Sequence, residues 1–364
     1  MSEHHTNVSD AMYGQFIKYD RLYEMTKYAF YGCNNLSSVN IFIDVYSLVE
    51  KLYRLGSYLE LDDSYSIASC IINLSIHLRA YFESRHRVNS KIFIVYGGAN
   101  PNHIKEYLPI YNNKNILATE SNKYLTNIIK DNLDVIEILT PYLYDIYSVV
   151  DYENEFNTLT SFIIDNLNDK KDKNNASNNI IYSKDTLSYQ LVAFKPFTFL
   201  YRPKKSYIGD NSWVVTKSTL YNAYRNGELG LKKIIDTDLH VLLFSMYQAI
   251  SGVRSRSLQS IKSANTTISI LENGIKNNRL LNGYNPSALN GITFELLFKD
   301  TSIDYIDIRN RYNAIDLQNQ TTIFKSRPDS NNVFKNIINL YDPDSVRNIN
   351  SKYFQKYPLD LNRV

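Results

Sequence analysis

The stretch Asn179 to Val192, NIIYSKDTLSYQLV, decides how the rest of the chain is read. Ile180 and Ile181 make a short apolar run of the kind a buried strand carries, ending at Ser183, and Asp185 stands where a helix should begin. Two roles are open to a carboxylate in that place. It can cap the helix, accepting from first-turn amides that have no partner within the helix. It can also face the crevice outside the carboxyl ends of the strands, where open α/β sheets bind their ligands.

Upstream, three further runs have the same character. Val39–Val45, VNIFIDV, is more continuously apolar than alternating, as a strand buried on both faces is, and Asp44 lies at its end. Lys91–Tyr96, KIFIVY, is followed by a Gly97-Gly98-Ala99-Asn100-Pro101 turn, and Asp145–Val150, DIYSVV, completes the set. Helical spacing fills the intervals: Leu48–Leu59, then Ser64–Phe82 with Ile67, Ile71, Leu74 and Leu78 on one stripe, then Tyr124–Leu139 and Tyr152–Ile164. Asn166–Asn178 is a polar loop. Strands alternating with helices predict an α/β fold, a doubly wound and mostly parallel sheet with helices on both faces. Beyond it come a short strand at Trp213–Thr216, an apolar helix at Leu239–Ile250, and the small-residue, basic turn SGVRSRSLQSIKSANTTISIL of Ser251–Leu271. Thr293–Val364 has weaker periodicity. No Gly-Lys-Ser or Gly-Lys-Thr follows the glycines after KIFIVY, so a nucleotide-binding loop is excluded there.

Composition narrows the classes. A chain of 364 residues can bury a large core, and its net charge of +3 is too mild to announce nucleic-acid binding by the whole molecule. Two cysteines, Cys33 and Cys70, form neither a disulfide framework nor a metal-ligand pattern. The N-terminus has no apolar core flanked by positive charge, and no apolar stretch approaches a membrane span, so an intracellular chain without membrane contact is expected. Thirty-one tyrosines together with abundant Asn, Ile and Lys suggest a coding sequence rich in A and T, as many bacteriophages and some parasites have.

Taken in order, these segments resemble the flap endonuclease and 5′-3′ exonuclease family, including phage 5′ nucleases, over roughly residues 39 to 285. NIIYSKDTLSYQLV is similar to that family's strand ending in Ser-x-Asp-x-Asp before a Gln-Leu-Val helix, and IFIDVYSLV to its first strand with a terminal Asp. KIFIVYGG resembles the second carboxylate-bearing strand, IKEYLPIYNNKN the segment entering the arch, DIYSVVDYENEFNTL the Glu-Ala-Asp-Asp helix, and WVVTKSTLYNAY the following strand and helix. AISGVRSRSLQSIKSANTTISIL stands where the helix-hairpin-helix belongs.

The resemblance implies two-metal phosphodiester hydrolysis, in which clustered carboxylates hold Mg²⁺ ions about 4 Å apart. Asp44, Glu153 and Asp185 match the pattern and Glu155 can replace an Asp. Gly97, Phe156, Leu187, Val253 and Arg256 stand where other carboxylates belong, and Asn112 and Asn115 where the arch has cations. An arginine cannot ligate Mg²⁺, and Arg256 would compete with it by pairing a remaining carboxylate. The expectation is therefore a catalytically inactive, 5′-nuclease-like (PIN-like) protein in which Asp44, Glu153, Glu155 and Asp185 are remnants, with no functional metal site and Mg²⁺ relevant only if cleavage persists. It would be a structural or interaction component of a phage particle, a capsid or portal-vertex accessory, made in the host cytoplasm and assembled with other virion proteins or copies of itself. Two alternatives stay open: a non-cleaving DNA-binding protein using Arg254, Arg256 and Lys262 against phosphates, and an active nuclease with a reduced metal site. The organisation expected is an N-terminal extension (1–38), the nuclease-like domain (39–238), a degenerate helix-hairpin-helix subdomain (239–292) and a C-terminal extension (293–364). The two extensions are expected to carry partner contacts through aromatics such as Tyr305, Tyr312, Phe324, Phe334, Tyr341, Tyr353, Phe354 and Tyr357.

Overall fold

The computed structural model describes residues 38–49, 65–98, 101–112, 123–169, 177–202, 214–226, 244–277, 298 and 301–327. Its centre is a six-stranded sheet: β1 (Ser38–Asp44), β2 (Asn89–Gly97), β3 (Ile146–Asp151), β4 (Ser177–Tyr182), β5 (Thr198–Tyr201) and β6 (Val214–Val215). The strand order is β3-β2-β1-β4-β5-β6, parallel throughout except for the antiparallel β5/β6 pair. The chain therefore winds outward from β1 to β3, then crosses back to place β4 on the other side of β1. That reversal between β1 and β4 is the point at which such sheets open a ligand crevice.

Every residue of β1 and β4 is buried, which is why both read as continuous runs and not as alternating ones. Alternate residues still go to opposite faces. Ile41, Ile43, Ile92, Ile94, Ile180 and Phe199 face one apolar cluster, which includes α1 (Tyr65–His86) and α3 (Lys123–Leu139). Phe42, Phe93, Val149, Ile181 and Leu200 face the other, with Phe42 and Phe93 stacked at 4.9 Å.

β4 begins at Ser177, inside what the sequence suggested was the tail of a polar loop. The reason is cross-strand pairing of polar side chains. The Ser38 and Ser177 hydroxyls lie 2.6 Å apart, Asn40 Nδ2 donates to Asn179 Oδ1 at 3.0 Å, and Asn179 Nδ2 donates to Thr198 Oγ1 at 3.4 Å. These contacts fix the register of β1, β4 and β5 while satisfying groups that hydropathy alone would send to solvent.

The second cluster is covered by α4 (Phe156–Asp169), α5 (Tyr189–Phe194), α7 (Phe244–Ser251), α8 (Ala264–Asn277), α9 (Tyr305–Ile315) and α10 (Leu317–Lys325), with Ile104 of α2 (Asn102–Lys105) and Leu220 of α6 (Lys217–Asn226) joining it. Phe244, Ile268, Phe298, Ile308, Ile315 and Phe324 belong to the same core as the sheet residues; the boundaries expected at 238/239 and 292/293 lie outside the described residues. Tyr312 and Phe324 are buried within this chain, and Tyr305 packs against the same core. The Tyr312 and Phe324 side chains are thus taken up by internal packing, while Tyr305 is partly buried. Phe334, Tyr341, Tyr353, Phe354 and Tyr357, like residues 1–37, lie outside the described residues. Among the described residues, no helix is long and apolar enough to cross a membrane.

Candidate functional site

The crevice forms where β1 and β4 end. Asp44 is the last residue of β1, and its carboxylate receives three hydrogen bonds: the Tyr46 amide donates to Oδ1 at 3.1 Å, and the Ser47 and Ser183 hydroxyls donate to Oδ2 at 2.5 and 2.7 Å. Ser183 Oγ also accepts from the Asp185 amide at 3.1 Å, so one hydroxyl joins the ends of the two strands. Lys184, between them, lies over the Tyr46 ring. Burial raises the pKa of Asp44, the two serines counteract that, and the charge of Asp185 adds to it; the net direction is upward.

Asp185 fills both roles that its position offered. It is the N-cap of a 3₁₀ turn at Thr186–Ser188, its Oδ1 accepting from the Leu187 amide at 3.1 Å. Its carboxylate also receives Asn157 Nδ2 on Oδ2 at 2.9 Å, and it is paired to Arg256 at both oxygens, with Nη2 to Oδ2 at 2.5 Å and Nη1 to Oδ1 at 3.4 Å. Burial alone would raise this carboxyl, but the guanidinium and the donated bonds outweigh burial and hold it below the usual aspartate value.

Arg256 is fully buried at 0% exposure. Its Nη2 also donates to Glu155 Oε2 at 2.8 Å, and its Nε donates to the same oxygen and to the Tyr111 hydroxyl, both at 3.1 Å. Tyr111 in turn donates to Glu155 Oε1 at 3.0 Å. Burial works against the guanidinium's charge, yet the carboxylates prevail and its pKa is raised well above the ordinary arginine value. Glu155 shares the same cation but is shifted upward, because burial, helped by the charge of Asp185, outweighs the guanidinium and the hydrogen bond from Tyr111.

The loop carrying Arg256 is a closed seat. The Gly252 amide donates to Gln248 O at 2.8 Å, Leu258 N to Val253 O at 3.1 Å, and Ile261 N to Ile250 O at 3.0 Å, while Asn112 N donates to the Arg256 carbonyl at 3.3 Å. Gly252 has φ of +85°, and a Cβ there would meet the Gln259 carbonyl carbon at 2.5 Å, so this turn needs glycine. Gly97 is constrained from the other side of the crevice. A Cβ on it would lie 2.1 Å from Phe156 N and 2.5 Å from Glu155 C, so no carboxylate can extend from that position while the 152–156 backbone lies where it does. Phe156, Leu187 and Val253, which also stand where the resemblance implies carboxylates, are buried in the apolar core.

The structure brings together Asp44, Glu155, Asp185 and Arg256, and leaves Glu153 out. The expected helix from Tyr152 begins instead at Phe156, because Asp151 Oδ1 accepts the amides of Glu153 and Asn154 at 2.7 and 3.1 Å and holds a bend there. Glu153 consequently points outward, 69% exposed, 3.6 Å from Arg327. Arg256 is likewise corrected as a phosphate contact, since a fully buried guanidinium reaches no backbone of DNA; Lys262 is exposed. Tyr111, Asn157, Ser47 and Ser183 are members that sequence reasoning did not assign. Ser183 lay in the Ser-x-Asp pattern and Tyr111 in the arch-like segment, whereas Asn157 has no such marker.

The Mg²⁺ implied by the resemblance does not fit these residues. Both oxygens of Asp44, Asp185 and Glu155 already accept hydrogen bonds, and the space between the last two is taken by a guanidinium. Among the described residues no group of three or more His, Cys, Asp and Glu is disposed to hold a metal ion.

No protein-family model and no curated protein matches this sequence. Among solved structures, the chain is similar to the flap endonuclease of bacteriophage T5 in a pseudo-enzyme–product complex with DNA and metal ions, at 12% identity and a TM-score of 0.48, covering 87% of this chain and 98% of that one. It is similar to the same phage's 5′-exonuclease with zinc bound at 12% identity and a TM-score of 0.46, with the same coverage.

Proposed function

We propose that this chain is a catalytically silent protein of 5′-nuclease-like form, acting as a structural or interaction component, and that its setting is a phage particle in which its partners are other virion proteins or further copies of itself. The observation that carries the silence is the buried Arg256 guanidinium bound to Asp185 at 2.5 Å and Glu155 at 2.8 Å. Two-ion hydrolysis needs carboxylate oxygens free to ligate, and stripping a guanidinium from a buried pair leaves uncompensated charge at a cost of about 3–5 kcal/mol. Losing several kcal/mol of transition-state stabilisation lowers a rate about a thousandfold or more.

The test is incubation of the native chain with 5′-flap, nicked and single-stranded DNA in Mg²⁺ or Mn²⁺. Products should not exceed those of a protein-free control; cleavage that disappears in Asp185→Ala overturns the proposal. DNA retention, measured alongside, should be weak and fall steeply with salt, because Lys262 and its surroundings offer point charges alone. Tight duplex binding at physiological salt that is lost on Lys262→Ala replaces the structural reading with a DNA-binding one.

A further inference from the structure

Away from the crevice, the elbow at which α9 passes into α10 is buried from Ala314 to Leu317 and is clamped by side-chain amides. Gln190 of α5 brackets it: Nε2 donates to the Ile315 carbonyl at 2.8 Å and to Gln248 Oε1 of α7 at 3.0 Å, while Oε1 accepts from the Leu317 amide at 2.9 Å. Between the two bracketed residues stands Asp316, 5% exposed, which ends α9 and caps α10, its Oδ2 accepting from the Asn319 amide at 3.0 Å. The groups that meet its carboxyl from the elements packed around it are neutral: the Ser245 hydroxyl of α7, the Tyr312 hydroxyl of α9 and the Asn319 amide of α10. We infer that this elbow is an acid-closed latch: with Asp316 protonated the helical pair α9–α10 is clamped against α5 and α7, and ionisation of Asp316 loosens the pair locally while the sheet stays folded.

The physical basis is the cost of burying a charge among neutral partners. Burial outweighs the donated hydrogen bonds and raises the Asp316 carboxyl above its ordinary value. With the closed-state pKa raised, closure is fully supported below the open-state value of about 3.9 and is weakened as pH rises through the closed-state one. Each unit of elevation is worth about a tenfold change in the closing equilibrium. The seam beyond the elbow suits a local release, since α10 meets α4 partly through Thr158 to Gln320 at 2.5 Å and Thr321 to Ser161 at 3.0 Å, hydrogen bonds that water can replace. Opening bares Phe162 of α4, which Phe324 covers edge-on at 4.8 Å.

The experiment is amide hydrogen exchange of the full chain at a series of pH values from the ordinary aspartate pKa upward, corrected for the intrinsic exchange rate at each pH, on native protein and on Asp316→Asn, whose side chain caps a helix as well as aspartate does. Amides of α9 and α10 should be less protected than those of β1 and β4. In the native chain their protection should fall as pH rises, about tenfold for each unit by which closure raises the carboxyl, and then level off; in Asp316→Asn it should stay flat. Equal protection of the helical pair and the sheet at every pH overturns the inference, as does a native pair whose protection ignores pH or an Asp316→Asn variant that keeps the native pH dependence. Should Asp316→Asn not fold, Tyr312→Phe carries the test: it removes a donor that favours the charged carboxyl, so the pH at which the fall levels off should move upward, and an unmoved value overturns the inference.

Discussion

Asp44 and Asp185 end neighbouring strands, share Ser183 as a neighbour and are 5% and 8% exposed, yet their carboxyls are shifted in opposite directions. Asp44 is met by neutral donors, two serine hydroxyls and an amide, and burial prevails. Asp185 is met by a guanidinium at both oxygens, and burial loses. Equal burial thus yields a reluctant anion on one strand and a committed one on the next. The partner's charge, about twice as effective per hydrogen bond as a neutral donor, decides the outcome.

The largest effect that separates them is expected at Asp185→Asn. An amide would face the guanidinium with a donor and leave Arg256 to Glu155 alone, so urea unfolding should show a loss of about 3–5 kcal/mol. Glu155→Gln comes next, at about 1–3 kcal/mol, because the amide oxygen can still accept from Arg256 while the opposing nitrogen disturbs the Tyr111 contact. Tyr111→Phe, removing a hydroxyl that bridges Arg256 and Glu155, should cost about 1–2 kcal/mol. The smallest effect is expected at Asp44→Asn, within about 1 kcal/mol at neutral pH, since its serine neighbours can rotate to accept as well as donate. Comparable losses at Asp44 and Asp185 would erase the distinction.

The pH dependence sharpens it. With its folded pKa depressed, Asp185 contributes stability that is present above the ordinary aspartate value of about 3.9 and is lost as pH falls through the lower folded value. Asp44, with its folded pKa raised, contributes stability that is present below about 3.9 and is lost as pH rises through the higher folded value. Denaturation as pH is lowered through the raised folded pKa of Asp44 should therefore shift the balance between native chain and Asp44→Asn toward the native chain. The gap between native chain and Asp185→Asn should hold over that range and narrow only in stronger acid. Parallel slopes for the two variants would contradict the assignment of the charged partner.

The parts of this arrangement legible in the sequence are those that hydropathy and strand-end position encode. VNIFIDV and NIIYSKD place Asp44 and Asp185 at adjacent strand ends once alternating strands and helices imply a doubly wound sheet. The resemblance to the Glu-Ala-Asp-Asp helix groups Glu153 with Glu155, and what separates them is the bend held by Asp151, a local side-chain contact that periodicity does not register. Helices α9 and α10 were missed for a different reason. The inner face of α10 carries polar residues satisfied across the interface, with Gln320 accepting from Thr158 at 2.5 Å and Thr321 Oγ1 lying 3.0 Å from Ser161 Oγ, while α9 buries only Ile308, Tyr312, Ala314 and Ile315 in a stretch otherwise rich in charge. Tyr111 reads as one tyrosine among 31.

The close approach at Gly97 couples two segments that are far apart in the chain. A side chain introduced there would collide with the backbone of residues 154–156, the segment that presents Glu155 to Arg256. Gly97→Asp would first have to displace the support of that ion pair before its carboxylate could enter the crevice. Position 97 and the 154–156 backbone are therefore not independent, and substitutions at the two should be non-additive in stability.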